Sequence, residues 1–229
     1  MNDDADRDAG LDAEVDAGWD TELDEEDAQL IAERGRVDSP PTAAELTVPA
    51  LSRFLVKIAE SSTAAEYQSR LRAVLGAALD HTVAGLDLDY LEDPEALDPD
   101  RTVRPMPQWF EAISGEGSAP ADAAADAARD AAPEFARLGA ERFTAAGHGV
   151  GRRLAGWLER FDWDNTFRTW EWWDVTRTDE RTVSIWVNAH GEDFFACEEL
   201  RWAAYTAGAV QVTGPDLVNA ETWLAERAE

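Results

Sequence analysis

The chain has 229 residues, of which 45% are hydrophobic, enough to bury a core as one ordinary domain with appendages or two small ones, so global disorder is not expected. Its 48 acidic against 20 basic residues give a formal net charge of −28, which argues against binding the nucleic-acid backbone or an anionic membrane, where Lys and Arg must meet phosphate. A basic protein surface, or a simple need for solubility, fits this charge better.

The first 40 residues hold 15 Asp and Glu against 3 Arg, whereas residues 41–229 hold 33 against 17. This uneven acid favours a dedicated leader over the uniform coat of a salt-adapted protein. Residues 1–22 are Asp-, Ala- and Gly-rich without apolar periodicity, and disorder is expected there. Glu22 to Arg34 can form a short helix with Leu23, Leu30 and Ile31 on one side, as in a segment that orders on a partner. Ser39-Pro40-Pro41 then breaks the chain, so residues 1–41 read as an acidic leader.

A helical region is expected over residues 42–160. Leu51, Phe54, Leu55 and Ile58 follow i, i+3, i+4, i+7 spacing, with Pro49 in the first turn of the helix they predict. Thr63 and Glu66 make a capping-box pattern ahead of Tyr67, Leu71, Val74, Leu75 and Ala78, and this second helix should stop at Gly85. The short link between the two predicts a helical hairpin. Residues 86–107 read as irregular. A short helix over Gln108 to Ile113 offers Trp109, Phe110 and Ile113 to a core, Gly115 to Ser118 make a turn, and Ala119 to Ala132 favour another helix. From Pro133, the residues Phe135, Leu138, Phe143, Val150, Leu154, Leu158 and Phe161 predict one long helix, or two jointed at Gly147-His148-Gly149.

Over residues 161–229 the period changes. Phe167 to Thr176 and Arg181 to Asn188 read as strands around a Thr178-Asp179-Glu180 turn, with Val183, Ile185 and Val187 on one face. Cys197 to Ala207 reads as a helix ended by Gly208, Val210 to Thr213 as a strand, and Asn219 as the cap of a last helix bearing Trp223 and Leu224. The fold class expected is α+β, with a helical region packed on a small β-β-α-β-α module and sharing its core.

Candidate chemistry is sparse. Gly147, Gly149 and Gly151 with Arg152 or Arg153 resemble an anion-binding loop. They lack the Lys and Ser/Thr of a P-loop, and helix packing or a helix joint explains the same glycines. His81, His148 and His190 show no metal-ligand spacing, and the acid-dense Asp87 to Asp100 segment lacks the calcium-loop pattern. Cys197, the one cysteine, excludes an internal disulfide, and the adjacent Glu198 and Glu199 disfavour a reactive thiolate. No metal and no cofactor is expected. The N-terminus has neither a basic nor an apolar signal region, and Trp202 to Pro215 is too short to span a bilayer, so a cytoplasmic location is expected.

Eight of the ten tryptophans lie between Trp157 and Trp223. On a strand, Trp170 and Trp172 share one face while Phe167 and Trp173 lie on the other. Either both faces are covered, one by the helical region and one by the last helix, or one exposes tryptophans interleaved with Glu171 and Asp174 as a partner-binding surface. The leading expectation is a non-enzymatic acidic protein whose leader, through Leu23, Leu30 and Ile31, and whose Trp170–Asp174 strand engage a basic partner. An immunity-like inhibitor and an adaptor are concrete forms. The alternative is an enzyme or small-ligand domain with a tryptophan-lined pocket near His190, Glu171 and Arg168.

Overall fold

The computed structural model describes residues 27–84, 103–115, 123–149, 151, 153–162 and 168–228. The expectations for residues 1–22, Leu23, Gly85, the acidic 87–100 segment, most of the 115–118 turn, Val150, Arg152 and Phe167 lie outside them.

Residues 27–38 form helix α1. After a 3-10 turn at Ala43–Glu45 come β1 (Ala50–Ile58), α2 (Ala64–Ala84), α3 (Gln108–Ser114), α4 (Ala123–Ala131), α5 (Glu134–Ala145), α6 (Leu154–Leu158), β2 (Glu171–Arg177), β3 (Thr182–Asn188), α7 (Glu198–Thr206), β4 (Ala209–Asn219) and α8 (Glu221–Arg227). The strands make one antiparallel sheet in the order β2-β3-β1-β4, so the class is α+β as expected. No helix among the described residues is long and apolar enough to cross a membrane.

The helix predicted over Leu51 to Ile58 is instead β1, a central strand paired with both β3 and β4. Its apolar residues fit either period. Read with period 2, Phe54, Val56 and Ile58 face the helices, opposite Ile185 and Val183 of β3, while Leu51 faces the far side. The β-favouring Phe, Val and Ile, given pairing partners on both edges, settle the choice. The expected helical hairpin is therefore a strand followed by a helix. That helix, α2, starts as the sequence predicts: Thr63 N donates to Glu66 Oε2 at 2.8 Å, and Glu66 N to Thr63 Oγ1 at 3.2 Å. Tyr67, Leu71, Val74, Leu75 and Ala78 are all buried.

Both faces of the sheet are covered. The helical side is one continuous cluster that takes in Leu30 of α1, the α2 stripe, Phe110, Phe143, Trp157, Trp170, Trp172 and Trp202. The opposite side holds a smaller cluster of Leu51, Trp173, Trp186, Ala220 and Trp223 beneath α8. Helices α5 and α7 pack so closely that a Cβ on Gly139 would lie 1.9 Å from Tyr205 O. β4 runs further than predicted and contains a cis Gly214–Pro215 bond beside a register irregularity. Asn219 contributes to the last helix by accepting from Glu221 N at 2.8 Å.

Candidate functional site

Strand β2 carries the residues singled out in the sequence. Trp172 stands opposite Val187 and Asp174 opposite Trp186, leaving Trp173 as the extra residue of a β-bulge. The bulge turns Trp173 toward α8 while Trp170 and Trp172 point to the helical core. Trp170 and Trp172 are 1% and 0% exposed. The solvent-facing tryptophan surface is thus corrected: helices cover one face and α8 the other. Glu199 anchors two of the core indoles, with Trp170 Nε1 donating to Glu199 Oε1 at 2.7 Å and Trp157 Nε1 to Glu199 O at 3.0 Å.

The carboxylates of β2 serve the fold. Asp174 is buried, accepting from Arg72 Nη2 at 2.6 Å and from Trp223 Nε1 at 3.0 Å. Glu171 is half-buried between Arg36, at 3.0 Å, and His190 Nε2, at 3.4 Å. Arg168, named with them in the sequence, pairs with the buried Glu33 of α1.

The leader residues Leu30 and Ile31 are likewise occupied within the chain, since Leu30 is buried and Ile31 packs on the same cluster. What the sequence pattern missed is the charged underside of α1. Glu33 and Arg34 are each 1% exposed. Arg34 Nε meets Asp80 Oδ1 at 2.5 Å, and Asp38 joins Arg34 and Arg104. Burial alone would raise the Asp38 carboxyl, but hydrogen bonds from Arg104 and Arg34, and their charges, outweigh it and hold it below the usual range. Period-based reading places charges outside, so nothing in the sequence marked Glu33, Arg34 or Asp80 as core.

The glycine loop is a helix ending. Gly147 has φ +83°, its N–H donates to Thr144 O at 3.0 Å, and His148 N–H donates to Phe143 O at 3.3 Å. These are the two bonds of a Schellman motif, completed by the His148 ring on Phe143 at 5.2 Å. Gly149 also has positive φ, and Gly151 lies against the Trp202 ring. The helix ending accounts for Gly147, and the contact with Trp202 for Gly151.

A cleft of about 570 Å³ lies between the β1–α2 turn and the β2–β3 hairpin, lined by Glu60, Ser61, Ser62, Thr63, Gln68, Arg177, Glu180 and Arg181 among others. Its lining mixes both charges, and Arg181 Nη1 is tied back to Ala59 O at 3.0 Å. Cys197 is buried, and burial pushes its thiol up more than Arg201 lowers it. Among the described residues, no group of three or more His, Cys, Asp or Glu is placed to hold a metal ion. Compared with known proteins, the chain matches no family model, no curated protein and no solved structure.

Proposed function

We propose that the protein is a non-enzymatic, acidic interaction protein that meets a basic protein surface. The observation that carries this reading is the excess of carboxylates over cations at the surface, where Lys57, Arg137, Arg153, Arg177 and Arg181 are exposed as well. The guanidinium groups of Arg34, Arg36, Arg53, Arg72 and Arg168 are engaged by carboxylates of the fold. Those of Arg70, Arg142 and Arg201 are engaged by main-chain carbonyls. Solvent meets carboxylates such as Glu60, Glu111, Glu134, Glu141, Asp216 and Glu221. A negative field of this kind speeds encounter with a cationic partner.

With Trp170 and Trp172 buried, the apolar contact passes to Phe194, which is 90% exposed against 41–45% for Val103, Val210 and Leu217. Phe194 follows the exposed Glu192 and Asp193 and precedes the buried Phe195, whose ring packs edge-on against Phe54 at 6.2 Å. An aromatic on an anchored loop, flanked by acid, has the make-up of an interface anchor. An immunity-like inhibitor and an adaptor in a larger assembly are the two forms this takes. Burial withdraws Trp170 and Trp172 both from the expected partner surface and from the walls of an open ligand pocket.

The test is capture by the full-length chain from lysate at low and high salt, beside Phe194→Ala and a Glu192→Lys/Asp193→Lys double variant. The expected result is a basic protein released by salt and held about tenfold more weakly by each variant. Retention of nothing, or of a partner indifferent to salt and to both variants, removes the reading.

A further inference from the structure

Among the described residues, the sheet edge formed by β2 is closed by side chains rather than by another strand. Trp172 N–H donates to Glu33 Oε1 at 2.5 Å, and Trp172 C=O accepts from Arg36 Nε at 3.0 Å. Further along, Val175 N–H donates to Asp174 Oδ1 at 2.7 Å and Val175 C=O accepts from Gln68 Nε2 at 3.2 Å. Glu33 and Arg36 stand one turn apart on the same side of α1. Together they offer one residue of β2 an acceptor and a donor, the pair a neighbouring strand would offer. An edge left without such partners is a template for unwanted pairing.

The way α1 is held differs from the way the core is held. Its inward side combines Leu30 and Val37 with the fully buried Glu33 and Arg34. Ion pairs taken out of water lose most of their attraction to desolvation, so these contacts fix geometry more than they add free energy. Arg72 ties down the far end by donating to Val37 O at 2.6 Å. β2 pairs with β3 from Glu171 to Arg177 independently of α1. The connection from α1 to β1 joins no strand ladder.

We propose that α1 is a strap: it opens as a unit while the rest of the protein stays folded, and its opening bares the main-chain groups of Trp172 on the β2 edge. The inference needs no partner and stands apart from the interaction reading. Hydrogen exchange on the full chain, resolved by residue in low denaturant, tests it on the wild type and on Glu33→Gln, which keeps the shape and removes the charge. The amides of residues 31–37 and of Trp172 should exchange through one shared opening, at least about tenfold more often than the opening that frees Leu71 to Leu79 of α2. Glu33→Gln should speed exchange in α1 and at Trp172 by about tenfold while leaving α2 unchanged. Exchange of α1 and Trp172 only in step with α2 in the wild type overturns the proposal. So does an equal acceleration of α2 in the variant, since α1 is then an integral part of the core.

Discussion

Asp174 and Trp223 meet at the rim of the sheet, the indole Nε1–H of Trp223 donating to Asp174 Oδ2 at 3.0 Å. The other carboxylate oxygen accepts from Arg72 Nη2 at 2.6 Å. One buried side chain therefore joins α2, on the helical side, to α8, on the other. It can do so because the bulge at Trp173 falls on an edge strand.

Replacing Asp174 by Asn keeps the shape and removes the charge that Arg72 meets. The expected cost is about 2–4 kcal/mol, because the guanidinium is left partly buried without its counter-ion. Asp174→Ala should cost more, since Trp223 Nε1–H also loses its acceptor. Urea unfolding measures both; an Asn variant within about 0.5 kcal/mol of wild type would show that α2 and α8 are joined by packing alone.

Gly139 and Gly156 make a matched pair. A Cβ at Gly139 collides with Tyr205 O, whereas nothing lies within 4 Å of one at Gly156. Gly139→Ala should therefore cost about 2–3 kcal/mol by forcing α5 from α7. Gly156→Ala should be neutral or up to about 1 kcal/mol stabilising. Thermal unfolding of the two variants should move in opposite directions or differ sharply in size.

Acid should weaken the fold in a defined window. Asp38 is held below the usual carboxylate range by Arg104 and Arg34 against its burial, and Glu66 by hydrogen bonds from Thr63. Groups with a depressed folded value add stability that is complete above the unfolded value and is lost as pH falls through the folded one. The contribution of these carboxylates should hold from neutral pH to the top of the carboxylate range and decline below it. Asp38→Asn should flatten the decline, a result that denaturant titrations at stepped pH can read directly.

His148 gives a second, separate window. Burial, and after it the charge of Arg201, holds its imidazole below the usual histidine value, with Glu198 opposing. The neutral ring packs on Phe143 and Tyr205. Unfolding then takes up a proton, so stability falls as pH drops below the ordinary histidine value toward the folded one. His148→Leu should abolish this part of the pH dependence and leave the lower acid window untouched.

How much of this was legible depends on which signal each element carries. Helix α2 announces itself through Thr63, Glu66 and an unbroken apolar stripe, and β3 through Val183, Ile185 and Val187. The segment from Leu51 to Ile58 satisfies two periods at once, and only its partners in β3 and β4, far along the chain, decide between them. The covered state of Trp170 and Trp172 was one of two readings the sequence left open. Choosing between them needed the bulge at Trp173 and the position of α8, neither of which has a local signature. The buried charges of α1 were invisible for a related reason, since Glu33 and Arg34 look like solvent-facing residues until Asp80, Arg168 and Trp172 come to meet them. Phe194 carried no signal, because an exposed aromatic beside a buried one reads as a pair of core residues.

The central place of β1 sets an order for the making of this protein. Its residues Ser52 to Lys57 leave the ribosome more than one hundred residues before their partners in β3, and β4 arrives later still. Contacts so distant along the chain are slow to form. During synthesis, Phe54, Val56 and Ile58 have no strand to pair with until β3 has emerged. Nascent chains stopped before Asn219 should consequently depend on chaperones, and the acid that surrounds them keeps such unfinished chains apart from one another.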